Sequence, residues 1–328
     1  QEVASTEGGV LQDTFRTFPV PDAYLANYKS YDGSHFPADG EFSGKNRSPY
    51  ARITVWQKPA EEAEEEKEKT DKQEAEADTQ EQGRKLGRKA QIVVLNMAGD
   101  TIRRFSEKLK PGMNRFTWDL RTEGVRFPSR RAAKPDSDPP RGHQVLPGEY
   151  KLVISSGDFA DSTKVEVHAD PRLDVDLADL RAEHAAYEVF YEMVEEAEEA
   201  FTRLQEAQKT IKRVNEALVH APDSTLKAIK EQGKVLQDSI TQLEELYMQP
   251  EDFKGIRRST GLLNSTLYGV YSYLEGVQGA LSPMGRMKLD QAKAQVREVT
   301  GRIDRFFVSD FAAYRKTVEA VPFSLFKE

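Results

Sequence analysis

The sequence predicts a multidomain α+β chain, an antiparallel β-sandwich of immunoglobulin-like size followed by an antiparallel helical bundle. Three observations predict it. Up to Asp170-Pro171, apolar and polar residues alternate in short runs punctuated by Gly and Pro, which is the period of a half-buried strand. Beyond that point apolar residues recur every three or four positions over long stretches, the seam of a packed helix. Within the strand-patterned region, residues 60–88 carry no apolar period at all. The 328 residues therefore divide into an extended arm (1–50), a sandwich (51–171) with a disordered acidic insertion (60–88), and a bundle of about four helices (172–328).

The arm holds Pro19, Pro21, Pro37 and Pro49 among scattered aromatics (Phe15, Phe18, Tyr24, Tyr28, Tyr31, Phe36, Phe42) and sustains neither period. It is expected to wrap over another surface, with those rings as anchors. In Ala51–Gln57, Ile53 and Val55 face one way while Arg52, Thr54 and Trp56 face the other. A second strand, Gln91–Asn96, turns at Met97-Ala-Gly99-Asp100 into Thr101–Phe105, which places the acidic insertion between two strands of one sheet. In Asn114–Arg121, Phe116, Trp118 and Leu120 alternate with Arg115, Thr117, Asp119 and Arg121, so the first set is assigned to the core. A Pro- and Arg-rich loop from Phe127 to Gly142 precedes strands at Tyr150–Ser155 and Lys164–His168, the latter with Val165 and Val167 inward.

Asp176 is placed to cap the first helix, which carries Tyr187, Phe190, Val194, Ala197, Phe201, Leu204, Ile211 and Val214 on its seam. A second helix carries Leu226 to Leu246, and a third runs from Ile256 to Leu281. A fourth begins at the Ser282-Pro283 cap and continues through Phe306 to Ala320. A straight first helix, Leu177 to Val219, would span roughly 65 Å against about 39 Å for the second and third. Its overhang must be covered by the sandwich, the N-terminal arm or a partner protein, unless the helix breaks near Ala207-Gln208, where the seam lapses.

Charge narrows the function classes. From Glu61 to Glu81 there are 11 acidic residues and three Lys, and the remainder of the chain holds 44 acids and 44 bases. No basic stripe interleaved with aromatics is present, which argues against nucleic-acid binding. No run of 18 apolar residues occurs, and the absence of Cys removes thiolate zinc sites and cysteine nucleophiles. The five His residues, His35, His143, His168, His184 and His220, show no zinc-protease or di-iron spacing, and His168 alternates outward beside Val167.

Glu195–Glu199 spreads around the helix and reads as a solvated face, while Gly276 and Gly279 read as close helix packing. Asp119 and Arg121, flanked by Arg115, form one charged set on a strand face and read as cross-strand ion pairs before an anion or sugar site. Trp118 reads as core. Trp56 reads as buried against the arm before it reads as a sugar-stacking platform. No catalytic, cofactor-binding or metal-ligating residue is assigned.

Four strings carry a resemblance: Gly99-Asp-Thr-Ile-Arg-Arg-Phe105, Pro111-Gly-Met-Asn-Arg-Phe-Thr-Trp-Asp-Leu-Arg121, Leu146-Pro-Gly-Glu-Tyr150 and Asp170-Pro-Arg172. Their order resembles the region that follows the β-propeller in large bacterial sortilin-like proteins, which are exported and carry Asp-box (BNR-type) repeats. The resemblance covers nearly the whole chain, including Leu263-Asn-Ser-Thr-Leu267-Tyr in the helical part, and it implies an Ig-like module similar to that of flagellar hook-capping proteins. No Asp-box repeat (S-x-D-x-G-x-x-W) occurs, so the propeller is absent from this sequence. The resemblance implies a non-catalytic structural or partner-binding C-terminal part of an exported protein, extracellular, periplasmic or outer-membrane associated, with the propeller or other subunits as partners. The alternative is an accessory subunit of a cell-surface glycan- or peptide-degrading assembly whose active site lies elsewhere.

Overall fold

Every second residue of Ala51–Gln57 is withdrawn from water, with Ala51, Ile53 and Val55 at 0% exposure, so the period of two is realised as a strand with one core face. The computed structural model describes residues 13–26, 48–58, 88–174, 176–217, 223–250, 253–255, 261–275 and 280–321. They are mixed α and β, and the chain divides into two units: 1–123 with 138–175, and 124–137 with 176–328. Residues 1–12 and 27–47 of the arm, with the anchors Tyr28, Tyr31, Phe36 and Phe42, and nearly all of the acidic insertion lie outside the described residues, as do His35, His220, Gly276 and Gly279. Arg88, expected as the end of the insertion, already opens a strand.

The first unit contains ten strands among the described residues: Phe15–Thr17 (β1), Ala23–Tyr24 (β2), Ala51–Gln57 (β3), Arg88–Leu95 (β4), Thr101–Leu109 (β5), Gly112–Trp118 (β6), Arg121–Glu123 (β7), Arg141–Gln144 (β8), Gly148–Ser156 (β9) and Phe159–His168 (β10). They form a three-stranded sheet β1-β3-β6, a five-stranded sheet β2-β10-β9-β4-β5 and a ribbon β7-β8. The five-stranded sheet is curled into a half-barrel. Both larger sheets face one core, to which β3 gives Ile53 and Val55, β4 gives Ile92 and Val94, β9 gives Leu152 and Ile154, and β10 gives Val165 and Val167. Trp118 meets the Tyr150 ring edge-on at 5.4 Å in the same core.

Three expectations change here. The strands flanking the acidic insertion, β3 and β4, belong to different sheets, so the insertion joins two sheets and is no hairpin loop. Where it is described, the arm adds strands to the sheets: β1 pairs antiparallel with β3, and β2 pairs parallel with β10, which makes the five-stranded sheet mixed. Asp161 of β10 fastens β1 by accepting hydrogen bonds from Thr17 N and Oγ1, both at 2.7 Å. Lastly, the run to Arg121 is not one strand. Leu120 has φ 59°, so the chain leaves the β region after Trp118, and Trp118 Nε1 closes the corner by donating to Arg121 O at 2.9 Å. Both Trp118 and Leu120 still reach the core at 1% exposure.

The second unit contains the helices Leu177–Ala217 (α1), Asp223–Glu244 (α2), Leu263–Glu275 (α3) and Pro283–Phe306 (α4), continued by a π-helical turn at Phe307–Phe311 into Ala312–Glu319 (α5). Asp176 caps α1 by accepting from Ala178 N at 2.9 Å, and Ser282 caps α4 by accepting from Gly285 N at 3.2 Å, with Pro283 following. α1 runs unbroken through Ala207 and Gln208, because Ala207 and Ile211 continue its buried seam. The long seam is covered in part by the segment 124–137, whose Val125 and Phe127 pack on this core, although the sequence placed that loop in the sandwich.

The π turn has a sequence cause. After Val299, Ile303 and Phe306, the next seam positions at three or four residues are Ser309 and Asp310, and the large apolar residues beyond those two are Phe311 and Tyr314. One residue is in excess. A turn with i→i+5 bonds absorbs it, leaving Val308 80% exposed while Phe311 packs against the core and Tyr314 is 2% exposed.

Two stability predictions follow from these placements. Trp118→Ala should cost about 3–5 kcal/mol and the exposed neighbour Thr117→Ala less than about 0.5 kcal/mol, read from thermal or denaturant unfolding. Deleting Val308 should convert the π turn to α-helix and keep Phe311 and Tyr314 inward, at a cost within about 1 kcal/mol. Deleting Arg297 instead rotates everything after it out of register and should cost more than about 3 kcal/mol, the scale of exposing two core aromatics.

Candidate functional site

Among the described residues of the first unit, a set of charged side chains gathers where β5, β7 and β8 meet. It takes up two of the three residues singled out from the sequence. Asp119 Oδ2 lies 3.3 Å from Arg141 Nε, and Arg121 Nη1 donates to Gly142 O at 2.9 Å. Arg115 stays exposed on β6 and is not brought to them, because the corner at Leu120 breaks the regular face on which the three were expected. The pairing across to β8 is therefore real, but it runs from the corner.

Arg103 of β5, 5% exposed, sits beneath this set and was missed in the sequence. Its Nη1 donates to Thr122 O at 3.5 Å and to Pro140 O. Burial pushes the guanidinium pKa below its ordinary value, against the opposing pull of Asp119 and Glu123. Around it, Ser106 N and Oγ donate to the two Asp138 carboxylate oxygens at 3.0 and 2.7 Å, and Arg104 lies 3.7 Å from Glu123. His143, expected in a loop, is a buried β8 residue whose Nδ1 faces Thr122 Oγ1 at 3.3 Å. Gly142 is needed in this corner, since a Cβ there would meet Glu123 O at 2.7 Å. Arg103 and Arg121 point at backbone carbonyls while Arg104 and Arg141 pair with carboxylates, so the chemistry of the set is that of fixing loop ends.

The remaining sequence candidates are dispersed. Trp118 is core, and Trp56 Nε1 donates to Asp13 O of the arm at 3.0 Å. His184 lies on α1, 3.9 Å from Glu188, and His168 lies half-exposed at the end of β10. Of Glu195–Glu199, Glu196 accepts from Thr300 Oγ1 at 2.8 Å, while Glu198 accepts from Arg126 at 3.2 Å and from Thr202. The run thus divides between solvent and polar contacts around α1.

Sequence reasoning also missed the second polar set, which lies in the second unit along residues 124–137. Arg130 donates to Gln249 O at 2.8 Å and approaches Glu244 at 3.6 Å, and Asn264 Nδ2 donates to Pro128 O at 2.9 Å. Phe127 stacks flat on Tyr268, with centroids 4.4 Å apart, and approaches Phe190 at 6.0 Å. The available signal was the pair Val125 and Phe127, apolar residues two apart in an otherwise polar, Pro-rich loop.

No family model, curated protein or solved structure matches the chain. Among the described residues no helix is long and apolar enough to cross a membrane.

The string Asp170-Pro171-Arg172 folds as a clamp in the first unit. Asp170, its side chain 5% exposed, accepts from Arg172 N at 3.0 Å and from Arg172 Nη2 at 2.5 Å. These bonds hold its carboxyl at about 2, below the ordinary 3.8. The depressed value means the clamp stabilises the fold in full above about pH 4 and loses that contribution as pH falls through about 2. Asp170→Asn should melt lower than the parent chain at pH 6, and the gap should close between pH 4 and 2; melting curves of both proteins across that range are the check.

Proposed function

We propose that this chain is a non-catalytic structural or partner-binding module, the C-terminal part of an exported β-propeller protein. In this reading the two larger sheets form an Ig-like sandwich and the helices an antiparallel bundle. The observation that carries the reading is how the strings of the sortilin-like resemblance are used. Gly99, at φ 93°, makes the β4–β5 turn, and Gly112, at φ 98°, opens β6 after Pro111. Trp118 fills the core and ties the corner at Arg121. Tyr150 reaches back from β9 so that its hydroxyl donates to Leu146 O at 2.7 Å, and Asp170 clamps Arg172. Residues spent on turns, corners and core are what a scaffold requires, and the charged corner around Arg103 serves the same end.

The test uses the intact protein from its native source together with the 328-residue chain alone. Intact mass and sequencing should show Asp-box repeats on the same polypeptide or on a stably associated one. The chain alone should turn over no member of a panel of glycosides and peptides. A native protein without a propeller, or turnover that one side-chain substitution in this chain abolishes, would overturn the proposal.

A further inference from the structure

Asp22, Glu166 and His168 come together in the first unit from segments more than 140 positions apart in sequence, at the edge where β2 joins β10. Glu166 and His168 are two apart on β10 and so project from the same face. Asp22 immediately precedes β2, whose Ala23 and Tyr24 stand opposite Val167 and His168 in parallel register. Leu25 N donates to His168 O at 2.9 Å, which fixes the backbone beside the ring. The Tyr24 ring lies 5.3 Å from the imidazole and limits its rotation.

We propose that these three side chains hold a borderline divalent transition-metal ion, of the Zn²⁺ class, which fastens the β2 segment to β10. His168 Nε2 lies 3.4 Å from Asp22 Oδ2, and His168 Nδ1 lies 3.9 Å from Glu166 Oε1. One ligand atom from each residue falls within 4.8 Å of the others. With Zn–N and Zn–O bonds of about 2.0–2.1 Å, neighbouring ligand atoms of a tetrahedral site stand roughly 3.3 Å apart. The Nε2–Oδ2 pair already has that spacing.

Charge argues in the same direction. Among the described residues the imidazole is the only basic group at ion-pair distance from either carboxylate, so two acids converge on one ring without Lys or Arg. A dication supplies the missing positive charge. Imidazole with two carboxylates suits Zn²⁺, Ni²⁺ or Co²⁺ and disfavours Ca²⁺ and Mg²⁺, which take oxygen ligands. The side chains are 37%, 57% and 62% exposed for His168, Asp22 and Glu166, so an ion can enter without unfolding and water can complete its shell.

The experiment titrates the metal-free full chain with Zn²⁺ by calorimetry and with Co²⁺ by visible absorption. One saturable site is expected, with a raised melting temperature in Zn²⁺ but not in Ca²⁺ or Mg²⁺. His168→Ala should abolish the site, and Asp22→Asn and Glu166→Gln should each weaken it about tenfold or more. His184→Ala, on α1, should leave it unchanged. Because all three ligands are at least one-third exposed, the variants should melt like the parent chain without metal. Saturable Zn²⁺ binding that survives His168→Ala, or no saturable binding up to millimolar metal, would overturn the proposal.

Discussion

The apolar seam of α1 is the constraint on which the second unit depends. It runs from Ala186 to Ile211 and includes Phe190 and Phe201, both at 0% exposure. A helix of 41 residues needs cover along its whole seam, because each aromatic left in water would forfeit a few kcal/mol. The rest of the unit follows from covering that seam. α4 and α5 run on as one long helical rod, the π turn keeps Phe311 and Tyr314 inward past a polar interruption, and residues 124–137 contribute Val125 and Phe127. Polar groups on the same segment make the placement specific: Arg126 meets Glu198, and Arg130 reaches Gln249 O and Glu244.

The first unit meets a different constraint. Its chain changes sheet at most of the links between strands, so the corners need their backbone groups satisfied. Side chains do this repeatedly. Trp118 donates to Arg121 O, Tyr150 to Leu146 O, Arg121 to Gly142 O and Arg103 to Thr122 O. Asp161 accepts from the β1 residue Thr17, so a strand of the three-stranded sheet is held by a side chain of the five-stranded one. Burial of Arg103 costs desolvation that its carbonyl acceptors and the nearby acids offset only in part, and the bonds it makes hold loops in place.

Periodicity and punctuation made much of the local structure legible. Ile53, Val55, Val165 and Val167 face the core as their alternation requires, and Ser282-Pro283 starts α4 as a cap followed by Pro must. The charged candidates were legible only as types. Asp119 and Arg121 do find partners across to β8, yet the corner at Leu120 separates them from Arg115, and a left-handed Leu has no sequence signature as Gly does. His143 looked like a loop residue because its neighbours are Pro, Arg and Gly, while the structure buries it in a two-stranded ribbon.

The sequence by itself determined which residues could be strand or helix, where several elements begin, and which face of each is apolar, because these depend on neighbours within a few positions. Only the tertiary structure decided which segments meet. It put β3 and β4 in different sheets, laid β2 parallel to β10, gave residues 124–137 to the helices, and brought Asp22 to His168. The physical reason is that pairing between distant segments is chosen by how completely a shared core can be closed. An alternating pattern states that a strand has an inner face and carries no information about which distant strand will lie beside it.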